Sequence, residues 1–410
     1  MINVILERCA GIDVGKKFVV VCLMVGQAAE TPRVEKRKYG VTVDALEDLR
    51  AWLEQEQVTH VVLESTGSYW KPIFNVLEKS FPVVLANPVH VKNLRGHKTD
   101  MKDSEWLAHL LRHGLIRASF IPPPQIRELR SLTRQRRDWI AGGARERNRV
   151  QRLLEEANIK LGNVLSDLFG VSGQRMLEAL VDGKASPAEI ADLAIGKARQ
   201  KIPELRQAIE GHRLTPTLRF LIGQNLRHME FIESEIAILD EQIGVMLQPL
   251  TPEMKLLESI PGIDTVSAAT ILGEIGTDMK QFPTAAHLAS WAGLCPGNNE
   301  SAGIAKSSRT RRGNHTLRAI INQCAWAAAH TKNTVFQTRY QHLVPKRGNK
   351  RAVIAVAHHL LVVIHTLLSR ATPYHDDGWT PKLRRRLYTR RARYHIHCLR
   401  RLRERISATE

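Results

Sequence analysis

Two carboxylates, Asp100 and Asp103, stand three residues apart at the front of a segment with helical spacing (Trp106, Leu107, Leu110, Leu111). Side chains three apart share one face of a helix, so both acids can point at one spot. Taken alone, they are also what a helix N-terminus recruits as caps and dipole partners. Two further acids shift the balance. Asp13 and Glu64 are each embedded in an apolar, strand-like run, Gly11-Ile12-Asp13-Val14-Gly15 and His60-Val61-Val62-Leu63-Glu64. Four carboxylates brought together repel one another unless a cation lies between them. Hard oxygen ligands of this kind suit Mg2+ or Mn2+, and such a site can stabilise both the attacking and the leaving oxygen in phosphoryl transfer.

The elements needed to gather these acids lie in the first 118 residues, where short apolar runs alternate with helical spacing. Phe18 to Val25 is a β-branched run that reads as a strand in a hairpin. Ala45 to Leu53 has helical periodicity, and Val83-Val84-Leu85-Ala86 is a further buried strand stopped by Asn87-Pro88. The pattern predicts an α/β domain with a largely covered sheet. In such folds, functional groups collect at strand ends and adjacent helix starts.

Composition narrows the partner. The chain has 410 residues, with 60 Lys and Arg against 41 Asp and Glu, a net charge of +19. That field suits a polyanion, above all nucleic acid. No run approaches the length of a membrane span, and the N-terminus lacks the signal-peptide pattern. Cys9, Cys22, Cys295, Cys324 and Cys398 lie scattered, without metal-ligand or paired spacing, and read as reduced thiols of a cytoplasmic protein.

Residues 119–250 change character after Pro122-Pro123-Pro124. Basic helices follow, in which Arg134, Arg137 and neighbouring arginines interleave with leucines. Their cations serve either a solvated face or nucleic-acid phosphates, and the cluster as a whole favours phosphates. Met229, Ile232, Ile236, Leu239, Ile243 and Met246 step by three and four, which fits a dimer seam or an intramolecular helical hairpin. Residues 165–215 carry no functional signal.

From residue 251 the chain reads as mostly helical. Ser259-Ile260-Pro261-Gly262-Ile263-Asp264 between two helical runs resembles a helix-hairpin-helix, whose Pro261, Gly262 and Ile263 would face a DNA phosphate. Ala292-Gly293-Leu294-Cys295-Pro296 leads into a polar loop. Lys306, Arg309, Arg311 and Arg312 come next, then Gly313-Asn314-His315-Thr316-Leu317-Arg318. A serine in such a loop is ordinarily a loop residue. The basic tail, residues 373–410, suits nonspecific nucleic-acid contact.

Several of these stretches occur together in one known family. Gly-Ile-Asp near the start, Glu-Ser-Thr-Gly-Ser-Tyr after a strand, Asn-Pro and Lys-Thr-Asp-x-x-Asp resemble the RuvC-like domain of the DEDD insertion-sequence transposases, relatives of the Piv DNA invertase. The resemblance implies a ribonuclease-H-like domain at 1–118 with Asp13, Glu64, Asp100 and Asp103 as its Mg2+- or Mn2+-binding tetrad and Lys98 and Thr99 in support. It implies a helical, coiled-coil region at 119–250 and a mostly α transposase domain at 251–372. Ala292 to Pro296 and Gly313 to Arg318 fit the latter, and Ser301 falls at the family's nucleophilic serine. The usual following glycine is Ala302 here, with Gly303 one place later, which leaves Ser307 and Ser308 as weaker candidates. The implied activity is DNA recombination through a phosphoserine link by a dimer or tetramer, with a guide (bridge) RNA as a second partner. Three other readings remain: a RuvC-like nuclease using metal-activated water, an actin-like kinase and a DNA-architectural protein. The kinase lacks a second glycine-rich phosphate loop.

Overall fold

In the computed structural model, residues 4–28, 30–65, 67–86, 91, 103–116, 118–297, 299–301, 304–307, 309–376, 396 and 399 are described. The chain divides into two units, Met1–Ile121 and Pro122–Glu410.

The first unit is a mixed α/β domain. Strands β1 (Arg8–Val14), β2 (Phe18–Val25) and β3 (Arg33–Gly40) form an antiparallel meander, and β4 (His60–Glu64) and β5 (Val83–Ala86) extend it in parallel. The order is β3-β2-β1-β4-β5. Alternation along β1 and β2 divides the side chains between two faces. Ala10, Ile12, Val14, Val19, Val21 and Leu23 pack with residues of helices α1 (Val43–Gln55) and α2 (Trp70–Leu77). Cys9, Cys22, Met24 and Val62 pack with Leu107, Ala108, Leu110 and Leu111 of α3 (Asp103–Arg112). Cover on both faces is why these strands read as nearly continuous apolar runs. The edge strand β3, Arg-Val-Glu-Lys-Arg-Lys-Tyr-Gly, carries no such run because charges suit an exposed edge.

Arg112, only 2% exposed, closes this unit. Its guanidinium donates to the carbonyls of Leu6, Glu7, Gly26 and Gln27 at 3.3, 3.2, 2.9 and 3.1 Å. Four acceptors offset the burial of that charge, so α3 is tied to the ends of β1 and β2.

Among its described residues, the second unit is helical apart from a two-stranded hairpin. Two long helices, α4 (Pro124–Glu156) and α9 (Pro216–Leu247), run antiparallel, with Arg136 paired to Asp240 and Arg147 to Glu233. Met229, Ile232 and Ile243 are buried, and Ile232 meets Gly142 and Gly143 of α4. The periodic stripe therefore builds an intramolecular hairpin. Between its arms, α5 (Leu161–Val164), α6 (Val171–Asp182), α7 (Pro187–Asp192) and α8 (Ile202–Ile209) enclose a core with Leu154, Leu177, Leu205 and Ile222. Residues 165–215 thus have a structural explanation.

The remainder comprises α10 (Thr251–Glu258), α11 (Thr265–Ile275), α12 (Ala285–Trp291), the hairpin β6 (Asn299–Ser301) and β7 (Ile304–Ser307), then α13 (His315–His330), α14 (Val335–Arg347) and α15 (Asn349–Arg370). By length and composition α15 is apolar enough to cross a membrane, which the sequence reading had not recognised. Its Ala352, Val356, Ala357, Leu360, Leu361 and Ile364 are fully buried, so the same apolarity serves the core of this unit. His358 and His365 on it reach the carbonyls of Leu294 and Phe282, at 3.3 and 2.8 Å.

Candidate active site

Strand register sets where the acids of the first unit fall. β1 lies beside β4 with Ile12 next to Leu63, so Asp13 and Glu64 are one step further along adjacent parallel strands. Alternation puts Asp13 on the face of Cys9 and Gly11, and Glu64 on the face of Val62, the face that α3 covers. Asp103 is the first residue of α3 and exposed to solvent. The Asp13 carboxyl is raised above its usual value of 3.8, first by burial and next by the charge of Asp103, while the Val14 amide pulls the other way. The two acids are therefore close enough for their charges to interact.

Gly11 makes that approach possible. A Cβ at this position would lie 2.2 Å from the Ser104 carbonyl oxygen and 2.4 Å from the Ala108 nitrogen. The backbone of α3 thus rests directly on β1, one turn from Asp103 and two residues from Asp13. Sequence reasoning used Gly11 only as part of a motif; a glycine inside a buried strand was the signal for the contact.

Hard oxygen donors that repel one another suit a divalent cation, and Asp13 with Asp103 can hold one. Among the described residues neither acid forms an ion pair with a basic side chain, and no three His, Cys, Asp or Glu residues make a complete ligand group. Lys98, Thr99 and Asp100 lie outside the described residues.

The serine candidate occupies the end of a strand. Ser301 closes β6 opposite Ile304 of β7, so the stretch read as a polar loop is partly a β-hairpin. Its neck is shut by a bridge between Pro296 and Thr310 and by the Gly297 amide donating to the Arg309 carbonyl at 2.8 Å. Gly293 and Gly313 cross just below: a Cβ on Gly313 would lie 2.3 Å from the Gly293 nitrogen. The two glycines of the sequence motifs are thus required by a backbone crossing at the base of the hairpin. The side chains of Ser301, Lys306 and Ser307, and all of Ala302, Gly303 and Ser308, lie outside the described residues. Arg309, Arg311 and Arg312 are exposed beyond the neck, and Arg318 is half-buried on α13.

Other candidate cations and the helix corner are occupied within the unit. Glu274 of α11 is fully buried and accepts from Arg134 at 2.7 and 2.9 Å and from Asn314 at 2.6 Å. Arg130 lies 3.4 Å from it, and burial lowers that guanidinium to about 10, still charged at neutral pH. Arg137 donates to Thr316 and Asp138. Sequence reasoning found Arg134 and Arg137 but missed Glu274 and Asn314, whose partners are about 140 and 40 residues away.

The helix-hairpin-helix expectation meets a similar result. Ile263 is buried, and Gly262 packs so closely on α13 that a Cβ would lie 2.5 Å from the Ala328 nitrogen. Asp264 caps α11 by accepting from the Ser267 amide at 2.8 Å, and hydrogen bonds from Ser267 hold its carboxyl below the usual range. This helix start therefore already carries an anion of its own, which disfavours a phosphate there.

Comparison with known proteins finds two matched segments in the chain. Residues 10–159 match a DEDD-type transposase family model, and residues 254–341 match a model described as Transposase IS116/IS110/IS902 family. The chain is 24% identical to the transposase for insertion sequence element IS1111A of Coxiella burnetii, over 90% of this chain and 91% of that one. It is 22% identical to the pilin gene-inverting protein of Moraxella bovis, over 89% and 96%. With an insertion element IS110 protein of Streptomyces coelicolor the identity is 28%, over 68% and 72%. The coupled acids lie within the first matched segment and the serine hairpin within the second, and on this evidence the chain belongs to the IS116/IS110/IS902 family of insertion-sequence transposases.

Proposed function

We propose that this transposase cuts and rejoins DNA with Ser301 as nucleophile and with Asp13, Glu64, Asp100 and Asp103 as the carboxylates of a ribonuclease-H-like, RuvC-type domain. The observation that carries the reading is the charge coupling of Asp13 and Asp103 across the β1–α3 contact, on a mixed sheet consistent with that fold. When bound, Mg2+ or Mn2+ would neutralise charge on the scissile phosphate and polarise it for attack. Asp13, fixed on a central strand, and Asp103, held by the packing of α3, supply rigid oxygen donors. The Ser301 oxygen forms the new bond to phosphorus as the sugar oxygen of the cut strand leaves and takes up a proton. A phosphodiester replaces a phosphodiester, so rejoining needs no outside energy source. Arg309, Arg311, Arg312 and Arg318, with Lys306, would stabilise charge on the phosphate.

A guide RNA, assembly as a dimer or tetramer and a cytoplasmic location belong to the same reading; the net charge of +19 supports a nucleic-acid partner. Inversion of a DNA segment, the act in the name of the Moraxella relative, stands beside excision and insertion as an outcome of the same cutting and rejoining. The test is a denaturing-gel search for a covalent protein–DNA adduct, using the element's own ends, Mg2+ and co-purifying RNA. An adduct formed by wild type and absent from Ser301→Ala and Asp13→Ala supports the proposal. Cleavage that persists in Ser301→Ala without an adduct would make water the nucleophile and the protein a RuvC-like nuclease.

A further inference from the structure

Between Glu300 and Asp376 the sequence contains no acid and twelve Lys or Arg residues. Six of them line one cleft of about 970 Å3 in the second unit: Arg309 at the neck of the serine hairpin, Arg318 on α13, Arg339 and Arg347 on α14, and Lys350 and Arg351 on α15. No carboxylate is among the lining residues. Among the described residues, Arg318, Arg339, Arg347, Lys350 and Arg351 form no ion pair.

Single features of this cleft have ordinary explanations, but their combination does not. Arg347 lies in the last turn of α14, where the helix dipole attracts a cation. Lys350 and Arg351 lie in the first turn of α15, where the dipole is already positive and no acid accompanies them. Like charges so gathered raise the energy of the unit unless an anion is drawn among them. Beneath the cations the lining is apolar, with Leu294, Pro296, Ile354 and Ala355. The volume lies near the top of the roughly 300–1,000 Å3 typical of ligand sites. A rim of cations over an apolar floor matches a chain of phosphates joined by sugars.

We infer that this cleft binds a phosphodiester backbone and grips the nucleic-acid strand that runs past the serine hairpin. The inference rests on the transposase reading above and adds four residues, Arg339, Arg347, Lys350 and Arg351, that lie on helices with no assigned role. Phosphate contacts fix the register of a strand without reading its sequence, which suits a cleft lined by the neck of the hairpin that carries the proposed nucleophile.

The test uses the full chain and fluorescence anisotropy with three probes of one sequence and length: duplex DNA, single-stranded DNA and RNA. Affinity is measured across a NaCl series for wild type and for the triple variant Arg347→Ala, Lys350→Ala, Arg351→Ala. The expected result is a loss of about tenfold or more, with the slope of log affinity against log salt shallower by about 2–3. A change in the DNA arms alone identifies the strand as DNA, and in the RNA arm alone as RNA. The charge-keeping variant Arg347→Lys, Arg351→Lys should hold the wild-type slope. Should the triple variant unfold, Lys350→Ala and Arg351→Gln taken singly must each lower the slope by about 1. Unchanged affinity and slope in all three arms, in variants that melt as wild type does, overturns this inference alone. A wild type that binds none of the probes overturns it together with the proposed function.

Discussion

Asp13 and Glu274 are both carboxylates withdrawn from water, and the two units treat them in opposite ways. Glu274, with no exposed surface, is met by two arginines and an asparagine, so its charge is compensated inside its own unit. Asp13 is half-buried and set close to a second acid, Asp103, and its carboxyl is raised first by burial and next by that charge. A buried charge that serves the fold is surrounded by opposite charge and donors. One that serves a ligand is left with a deficit for the ligand to fill. The contrast separates the acid that holds a helix corner from the acids proposed to hold a cation.

The contrast can be broken by measuring activity and stability on the same variants. The largest expected effect is on chemistry: Asp13→Asn should lower strand cleavage by about 10³-fold, since one stabilising group at a phosphate is worth this much. Its stability should equal or exceed that of wild type. The folded value of Asp13 lies above the unfolded 3.8, so ionisation opposes folding as pH rises through the folded value. The advantage of Asp13→Asn in urea denaturation should therefore be present at neutral pH and vanish in acid. Glu274→Ala should do the reverse, destabilising the fold by about 3 kcal/mol because two arginines lose their counter-charge. Urea denaturation of both variants in parallel checks the pair.

A smaller effect sharpens the contact that joins the acids. Gly11→Ala forces a methyl into the backbone of α3 and should cost about 1–3 kcal/mol. It should also lower cleavage, because Asp103 moves with the helix. Asp264→Ala, the loss of a helix cap, should cost about 1 kcal/mol and leave nucleic-acid affinity no weaker. The Asp264 carboxyl lies below its unfolded value, so its contribution is present above that value and lost as pH falls through the folded one. Thermal melts of wild type and variant at neutral and acid pH read this difference.

What was legible in the sequence follows from how local each signal is. The covered strands β1, β2, β4 and β5 announced themselves as apolar runs, and Asp13, Glu64 and Asp103 stood out because acids interrupt or end such elements. Edge strand β3 stayed hidden because its exposed charges look like a loop. The stripe from Met229 to Met246 showed that α9 packs, but periodicity cannot say against which helix; the partner proved to be α4. Arg134 was visible as a cation, while its counter-charge Glu274 sits 140 residues later in an apolar helix. The cations of α14 and α15 are scattered among apolar residues and converge only when the helices pack.

If Asp13 and Asp103 hold a divalent cation together, calorimetric titration of the full chain with Mn2+ will show it. Wild type should bind Mn2+ with release of protons near the raised carboxyl value. Asp13→Asn and Asp103→Asn should each weaken binding by at least about tenfold, as loss of a ligand does. Their combined effect should depart from the sum of the two single effects, since both act on one site. Undiminished Mn2+ binding in Asp13→Asn would place the cation elsewhere and remove these acids from the site of catalysis.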